Sequence, residues 1–391
     1  MRSITILGAT GSIGQSAADV VLGHPDKFRV AAVVGGRNAE ALARTAVKLG
    51  ASYAAIAAED QLDNLRDALS GTGIRSGAGM NAVLEAADHP ADVVLAAIAG
   101  TAGLKPTHAA LKPGRRIALA NKESLVCAGE AFMADATRIG AEISAVDSEH
   151  NALQQALMAG QVSDITLATI TASGGPFRTW AKERIAAASA KEASAHPVWS
   201  MGAKILIDSA TMMNKGLELI EAHHLFALSP QQIGVVVHPD AIVHAIAQWR
   251  DGAITAGLAA PDMRIPIANA LGFERRLEMP YPVFDFAGMG SLRFERPDEE
   301  RFPCLKLARE VMFAGGVLPA AMNAANEVAV AAYSAGQIGF YDIHALVSSV
   351  CEFFSRRTGA KAPANVEEAL AIHKEATVLA EKTLNEFISI R

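Results

Sequence analysis

Short apolar runs alternate with amphipathic helical segments over the first 146 residues of the chain. The runs occupy residues 4–7, 30–34, 53–56, 93–98, 117–120 and 143–146. The helical segments between them include residues 13–22, 39–49, 104–111 and 124–138. Uninterrupted apolar runs are typical of parallel strands that are covered on both faces. The alternation therefore predicts an α/β fold that begins with a doubly wound, Rossmann-like parallel sheet.

The pattern changes beyond residue 150, where strand-like runs surround a single helix. The runs occupy residues 165–171, 233–237, 242–249 and 253–258, and the helix occupies residues 212–226. The sequence Arg250-Asp251-Gly252 joins the last two runs and predicts a hairpin turn. Residues 173–203 carry turn-forming sequence and a short amphipathic piece near 182–190. Because long irregular segments of compact domains are commonly functional, we predict a central α+β catalytic domain with a flap at 173–203.

The last third of the chain is first rich in proline, glycine and charge and then wholly helical in pattern. The helical stretches are residues 304–313, 321–334, 341–354 and 366–388. Asp342 is the expected N-cap of the third stretch and Gly336 the expected stop of the second. The predicted organisation is a nucleotide domain at 1–147, a catalytic domain at 148–272, a connector at 273–302 and an all-α domain at 303–391.

Composition and charge narrow the classes of partner. The net charge is −6 and no lysine or arginine block occurs, which argues against nucleic acid or an anionic membrane as a partner. No apolar run approaches the roughly 18 residues of a membrane span. The first strand starts near Ser3, so we expect no targeting peptide. Cys127, Cys304 and Cys351 are scattered and form no CxxC pair, which indicates a reducing cytoplasm and no thiolate metal site.

A glycine-rich loop, GATGSIG at residues 8–14, follows the first predicted strand and opens the first helix. Glycine lets the backbone approach a pyrophosphate, and the helix N-terminus supplies N–H donors. A tight structural turn is the alternative. The loop residues expected to contact a dinucleotide are Thr10, Gly11, Ser12 and Ile13.

The end of the second strand indicates which dinucleotide is bound. An NAD site would place an acid there for the ribose 2′-hydroxyl. This chain has Gly36, Arg37 and Asn38 instead. A guanidinium suits a 2′-phosphate, so the sequence favours NADPH over NADH. A solvated surface arginine is the alternative.

Two acids, Asp147 and Glu149, stand two residues apart where the sixth apolar run ends, and Glu218 is a third acid downstream. On an extended chain such a pair points to the same side. Hard cations such as Mg²⁺ or Mn²⁺ prefer these oxygen ligands. Each acid taken alone could be solvated or cap a helix. Lys122 follows a neighbouring strand and could act there as a proton donor or charge partner, or be a surface lysine.

Hydroxyl, amide and ammonium groups suited to a phosphate come from Ser209, Asn214 and Lys215 around a predicted helix start. Ser173 precedes two glycines and could add a donor or simply form a turn.

Histidine spacing gives no zinc motif, so His196 and His244 are candidates for substrate contacts instead. Trp199 and Met201 could cover a ligand or pack the flap onto the core.

Several sequence blocks together resemble the 1-deoxy-D-xylulose 5-phosphate reductoisomerase family over nearly the whole chain. The blocks are GATGSIG at 8–14, ANKESL at 120–125, VDSEHN at 146–151, SGGPF at 173–177, HPVWSMG at 196–202, DSATMMNKGLE at 208–218, PDMR at 261–264 and NAANE at 323–327. The resemblance implies a metal-bound deoxyketose phosphate that is rearranged to an aldehyde. NADPH then reduces this aldehyde to 2-C-methyl-D-erythritol 4-phosphate, in an enzyme that is usually a homodimer.

The resemblance also assigns residues to roles. It makes Asp147, Glu149 and Glu218 metal ligands and sets Lys122 and His244 near the reacting centre. The implied substrate contacts are Ser148, Ser173, His196, Trp199, Ser209, Asn214 and Lys215. The implied cofactor contacts beyond the glycine loop are Gly36, Arg37, Asn38, Asn121, Glu123, Met201 and Gly202.

Two rival functions remain open at this point. An aspartate-semialdehyde-type dehydrogenase also begins with a GATG loop, but it needs a nucleophilic cysteine after the cofactor domain, and Cys127 lies within a helix pattern inside that domain. A non-catalytic NADPH-sensing regulator would need neither the three acids nor the phosphate set.

Overall fold

The computed structural model describes residues 1–199, 202–272, 275–357 and 361–389, and the chain forms two compact units. Unit 1 comprises Met1–Ser124, Phe132–Asn151 and Asp262–Tyr281, and unit 2 comprises Leu125–Ala131, Ala152–Pro261 and Pro282–Arg391. This division into two units does not test the four domain limits predicted from the sequence, which remain a prediction.

The described residues contain eleven strands in two sheets. The strands are β1 (Arg2–Leu7), β2 (Phe28–Gly35), β3 (Tyr53–Ile56), β4 (Arg75–Ala78), β5 (Val93–Ala96), β6 (Arg116–Leu119), β7 (Glu142–Ala145), β8 (Ile165–Ala172), β9 (Ile233–Val237), β10 (Val243–Trp249) and β11 (Ile254–Leu258).

Seventeen α-helices lie within the same described ranges. They are α1 (Ser12–Leu22), α2 (Ala39–Leu49), α3 (Leu62–Ala68), α4 (Gly79–Asp88), α5 (Leu104–Ala109), α6 (Glu123–Ile139), α7 (Ser148–Leu157), α8 (Lys182–Ala186), α9 (Ala190–Ala193), α10 (Ala203–Ala210), α11 (Met213–Phe226), α12 (Arg264–Gly272), α13 (Phe286–Met289), α14 (Pro303–Ala314), α15 (Leu318–Ser334), α16 (Phe340–Ser355) and α17 (Val366–Ser389).

Unit 1 is built on a parallel sheet of seven strands in the order β4-β3-β2-β1-β5-β6-β7. The strand order reverses at β1, which pairs with β2 on one side and β5 on the other. Ile4, Val33 and Leu95 are fully buried in its core, as expected for strands that are covered on both faces. In such sheets ligands bind at the carboxyl ends of the strands near this reversal.

The six strands predicted for the nucleotide domain are all present, and the structure adds β4. This short edge strand has the sequence RSGA and is partly exposed throughout. It contains no apolar run, so periodicity could not reveal it. Its parallel pairing with β3 defines it as a strand.

Unit 2 contains a mixed sheet of four strands in the order β11-β10-β8-β9. β10 runs antiparallel to both β8 and β11, whereas β8 and β9 are parallel. The predicted hairpin between β10 and β11 is confirmed, with Gly252 at φ +90°. This left-handed conformation favours glycine. The predicted fold class, a Rossmann-like sheet followed by an α+β region and a helical C-terminal region, is confirmed.

Two predictions about helix ends have different outcomes. Gly336 does end α15: it has φ +71°, and the N–H groups of Gly336 and Gln337 donate to Tyr333 and Ala332, which is a Schellman motif. Asp342 as the N-cap of α16 is wrong, because the cap is Gly339. Asp342 lies three residues further on, and its carboxylate accepts the N–H of Gly339 at 2.5 Å.

The local geometry expected for the acid pair is also wrong. β7 ends at Ala145 and α7 begins at Ser148, so Asp147 and Glu149 do not share an extended strand. Glu149 lies in the first turn of α7. The two acids are brought together by the turn from β7 into α7. The apolar pattern alone did not predict this turn.

Candidate active site

The glycine loop between β1 and α1 has the backbone geometry of an anion-binding turn. Gly8 has φ +87°, and a Cβ added there would lie 2.4 Å from the carbonyl oxygen of Ala97. A Cβ at Gly14 would lie 2.3 Å from the carbonyl oxygen of Gly8. Gly11 caps α1 without any side-chain hydrogen bond, and Gly11 and Ser12 are exposed. The first amides of α1 therefore face a surface where a pyrophosphate can bind.

The corner after β2 presents Arg37 to solvent. A Cβ at Gly36 would meet nothing within 4 Å, so the backbone there is open to a ligand. The Arg37 side chain is 71% exposed, and its guanidinium bonds to Asp60 at 2.5 Å. Asn38 is the N-cap of α2, where its side chain accepts the N–H of Ala41 at 2.9 Å.

Asn121 ties two strand-end loops of unit 1 together. Its side-chain amide donates to the carbonyls of Ile98 and Gly100, at 2.8 and 2.9 Å, and to Glu123 at 3.1 Å. Its Oδ1 accepts the backbone N–H of Ser124 at 3.0 Å. Asn121 and Glu123 are buried and shape the loop that follows β5. This role can be seen only in the structure, and a cofactor contact by either residue remains a prediction.

Lys122 and Asp147 meet at the carboxyl ends of the neighbouring strands β6 and β7. The ammonium lies 3.1 Å from the carboxylate, and the two side chains are only 12% and 14% exposed. Glu149 has a carboxylate oxygen within 4.8 Å of one of Asp147. Ser148 donates a hydrogen bond to Glu149. Two acids this close favour a cation between them, and Lys122 offsets part of their charge.

His150 was not among the predicted site residues, yet it contacts Asp147. Its Nδ1 lies 3.0 Å from Asp147 Oδ1, and its side chain is fully buried. The signal in the sequence was the spacing of three residues, which brings two side chains together when the chain between them is helical. His150 therefore contacts one carboxylate oxygen of Asp147, and Lys122 contacts the other.

In unit 2 a hydrogen bond links the first residue of the predicted flap to a residue near the end of the flap. Ser173 Oγ lies 3.0 Å from His196 Nε2. His196 Nδ1 accepts the N–H groups of Val198 and Trp199, at 3.1 and 2.9 Å. Since Nδ1 is an acceptor, Nε2 of the neutral ring carries the hydrogen. The predicted amphipathic piece is present as the short helices α8 and α9.

The predicted phosphate set gathers around the break between α10 and α11. Ser209 lies in the last turn of α10, and a Cβ at Gly175 would lie 2.6 Å from its carbonyl oxygen. The structure thus packs the glycine turn after Ser173 directly onto Ser209. Asn214 and Lys215 lie in the first turn of α11, and both donate to Glu218.

The remaining predicted residues of unit 2 have separate positions. The rings of Trp199 and His244 lie 6.4 Å apart between centroids. His244 is buried, with Nε2 3.2 Å from the carbonyl oxygen of Ala259. Gly202 is the exposed N-cap of α10. Met201 lies outside the described residues.

A doubly wound sheet with an anion-binding glycine loop, and acids at the carboxyl ends of its strands, defines the class of this protein. It is a dinucleotide-dependent oxidoreductase with a candidate site for a divalent metal.

Comparison with known proteins gives the family within this class. Family models for 1-deoxy-D-xylulose 5-phosphate reductoisomerase match residues 4–129, and models for the C-terminal domains of that enzyme match residues 143–226 and 258–379. The chain belongs to the 1-deoxy-D-xylulose 5-phosphate reductoisomerase family.

Individual relatives agree with the family models. The 1-deoxy-D-xylulose 5-phosphate reductoisomerase of Bradyrhizobium sp. (strain ORS 278) is 52% identical over 96% of this chain and 92% of its own length. The enzyme of Afipia carboxidovorans is 50% identical over 98% of this chain and 95% of its own length.

Solved structures of the family have the same fold. The reductoisomerase of Zymomonas mobilis in complex with NADPH is 42% identical, with a TM-score of 0.91 over 98% of this chain and 99% of that chain. A reductoisomerase in complex with NADPH, fosmidomycin and magnesium is 38% identical, with a TM-score of 0.92 over 98% of both chains.

These comparisons confirm the predicted family, the enzyme class and the main predicted function. They also confirm the predicted cofactors, since solved homologues bind NADPH and magnesium. They give no support to the dehydrogenase or the regulator. Every helix in the described part of the chain is too short or too polar to span a bilayer.

Proposed function

We propose that this chain rearranges and reduces 1-deoxy-D-xylulose 5-phosphate to 2-C-methyl-D-erythritol 4-phosphate, with NADPH and a divalent metal. The observation that carries the proposal is the 52% identity to a named reductoisomerase over 96% of the chain. The geometry of both units is consistent with it. The reaction supplies a precursor for isoprenoid synthesis.

The proposed metal ligands are Asp147, Glu149 and Glu218. The proximity of the Asp147 and Glu149 carboxylates in unit 1 supports the first two. Glu218 of unit 2 is buried near the start of α11, where Lys215 donates to it. Magnesium is the metal in a solved homologue, and manganese is a second hard cation that would suit the same oxygen ligands. When bound, such a metal polarises a carbonyl and stabilises negative charge on oxygen.

The side chains around the acids have roles that follow from their contacts. Lys122 lowers the cost of a charged Asp147 and is well located to donate a proton near the reacting centre. His150 fixes the orientation of the Asp147 carboxylate. His244 is proposed to lie near the same centre, together with Trp199.

The proposed phosphate and substrate contacts are Ser148, Ser173, His196, Trp199, Ser209, Asn214 and Lys215. The hydrogen bond between Ser173 and His196 and the packing of Gly175 on Ser209 support a single donor group within unit 2. Residues 173–203 are proposed to act as a flap that keeps water away from the aldehyde.

The proposed NADPH contacts begin with the glycine loop, whose backbone geometry fits a pyrophosphate. The full set is Thr10, Gly11, Ser12, Ile13, Gly36, Arg37, Asn38, Asn121, Glu123, Met201 and Gly202. Arg37 is proposed to bind the 2′-phosphate, because its guanidinium is exposed beside the open backbone of Gly36.

A homodimer in the cytoplasm is proposed as the working form. β11 is an edge strand of the sheet in unit 2, and Ile254 and Leu258 on it are 65% and 41% exposed. An exposed apolar edge of this kind is suited to a second copy of the chain. The three cysteines are buried and none forms a disulfide within the described residues, which suits a reducing compartment. Sedimentation at twice the chain mass of 40.8 kDa is the expected outcome, and a monomer at working concentration would contradict the dimer.

The test of the reaction is NADPH oxidation by the purified chain with 1-deoxy-D-xylulose 5-phosphate and Mg²⁺. Turnover should stop when the metal is chelated and return when it is restored. Asp147→Asn should reduce turnover by at least about a hundredfold, because a metal ligand loses its charge. NADPH affinity should be nearly unchanged in that variant. Full activity of Asp147→Asn would refute the metal assignment, and a parent protein without turnover would refute the reaction.

A further inference from the structure

The loops that follow β2 and β3 run side by side. The N–H groups of Ala57 and Ala58 donate to the carbonyls of Gly35 and Gly36, at 2.9 and 3.0 Å. These bonds extend the parallel pairing in which Ile56 is the register partner of Gly35. The chain that leaves β3 is therefore held against the residues that precede Arg37.

This arrangement brings an acid to Arg37 from the neighbouring strand. Asp60 lies in a single 3₁₀ turn, Glu59–Gln61, and its Oδ2 accepts a hydrogen bond from Arg37 Nη2 at 2.5 Å. The side chain of Gln61 donates to the same oxygen at 3.1 Å. The hydrogen bond from Gln61 and the charge of Arg37 hold the pKa of Asp60 below its ordinary value. Asp60 is therefore a carboxylate at neutral pH.

We infer that Asp60 is a second specificity residue of the dinucleotide site, which opposes the 2′-phosphate of NADPH and favours the 2′-hydroxyl of NADH. The inference rests on the proposed function, in which Arg37 binds the 2′-phosphate. Sites for NAD commonly use an acid after the second strand to accept the ribose hydroxyl. Here the acid comes from the loop after β3 instead, so the corner carries both a cation and an anion.

The two dinucleotides meet different partners at this corner. A 2′-phosphate carries nearly two negative charges at neutral pH, as phosphate monoesters do. It must either take Arg37 away from Asp60 or remain beside a like charge. A 2′-hydroxyl carries no charge and can donate a hydrogen bond to Asp60. Asp60 therefore reduces the preference that Arg37 creates, and NADH remains a measurable second cofactor.

The expected change in dinucleotide affinity is small because the side chains of the ion pair are exposed to solvent. The side chains of Arg37 and Asp60 are 71% and 56% exposed. Exposed ion pairs are weak because water screens them, so removing one should change an affinity by about three- to fivefold. The effect should shrink as salt is added.

The test measures dissociation constants of NADPH and NADH for the full chain by calorimetric titration. Asp60→Asn keeps the shape of the side chain and removes its charge. We expect it to bind NADPH about three- to fivefold more tightly while NADH binding stays the same or weakens. Asp63→Asn is the matched control, since Asp63 is 92% exposed and pairs with Arg66. The control should leave the ratio of the two constants as in the parent.

Two results would overturn the inference. One is an unchanged ratio of the two dissociation constants in Asp60→Asn, which includes an equal gain for both dinucleotides. The other is the same ratio change in Asp63→Asn.

The proposed function fails separately from the inference. A parent that does not turn over 1-deoxy-D-xylulose 5-phosphate, while Asp60→Asn still shifts the ratio, refutes the reaction alone. Arg37→Glu should weaken NADPH far more than NADH, and equal losses would refute the assignment of Arg37. A parent that binds neither dinucleotide would refute both proposals.

Discussion

Two ion pairs at the carboxyl edge of the seven-stranded sheet have similar chemistry and opposite environments. The Arg37–Asp60 pair stands after β2 and β3, with side chains 71% and 56% exposed. The Lys122–Asp147 pair stands after β6 and β7, on the other side of β1, with side chains 12% and 14% exposed. The two pairs differ in burial. A ligand can replace one partner of the exposed pair, whereas each charge of the buried pair needs the other.

The difference has an energetic basis. Water stabilises the separated charges of an exposed pair almost as well as the pair itself, so the pair contributes little. A buried charge that loses its partner has no such compensation. The exposed pair is therefore suited to selecting a cofactor, and the buried pair to holding an acid in one orientation.

The largest expected effect tests the buried pair. Lys122→Met should lower the free energy of unfolding by about 3–5 kcal/mol, because the Asp147 carboxylate loses its cation in a place that water hardly reaches. Urea unfolding measures the change. In the double variant Lys122→Met with Asp147→Asn most of the loss should be recovered. A loss below about 1 kcal/mol in the single variant, the range of exposed pairs, would remove the contrast.

Arg115 is a buried cation whose side-chain hydrogen bonds go to backbone carbonyls. The Arg115 side chain donates to five backbone carbonyls, those of Ala87, Asp88, His89, Ala91 and Ala110. Arg115→Lys keeps the charge but has three donors in place of five. It should lower the free energy of unfolding by about 2 kcal/mol, because at least two carbonyls lose a partner.

The matched control for Arg115 is the exposed Arg44, which is 71% exposed and pairs with Glu40. Arg44→Lys should change the stability by less than about 0.5 kcal/mol. Equal losses at the two positions would mean that the carbonyl bonds of Arg115 contribute nothing beyond charge.

The smallest effect concerns a pair of intermediate exposure, Asp262 with Arg264. Hydrogen bonds from Arg264 lower the pKa of Asp262 from 3.8 to about 2. The folded state binds the proton more weakly than the unfolded state, so the pair stabilises the fold above pH 3.8, and this contribution is lost as the pH falls towards 2. The side chains are 26% and 41% exposed. Because solvent screens the pair, we expect about 1 kcal/mol or less.

Urea unfolding of the parent and of Asp262→Asn between about pH 5 and pH 2.5 measures this contribution. The difference in stability between the two proteins should shrink as the pH falls, and Asp63→Asn should show a smaller change. A difference that grows on acidification would contradict the sign of the pKa shift.

Periodicity predicted the strands that contain an apolar run and missed elements whose sequence begins polar or lacks such a run. Six strands of unit 1 and the four of unit 2 were predicted because each contains an apolar run. β4 and α7 were missed, because RSGA has no apolar run and α7 starts in a polar sequence. A short edge strand such as β4 is held by backbone pairing, which leaves no apolar pattern in the chain.

The candidate site was predicted as a set of residue types and not as a set of contacts. Asp147, Glu149 and Lys122 were expected together, since the carboxyl ends of neighbouring strands share an edge. His150 and Asp60 were missed. Their contacts depend on a helix start after β7 and on the pairing of two loops after β2 and β3.

The chain by itself determined the alternation of strands and helices, the glycine loop and the acidic blocks, because hydrophobic burial and backbone freedom depend on local residue types. Only the tertiary structure decided which charges meet and how deeply each pair is buried. The strength of an ion pair depends on the solvent around it, and that is a property of the packed fold.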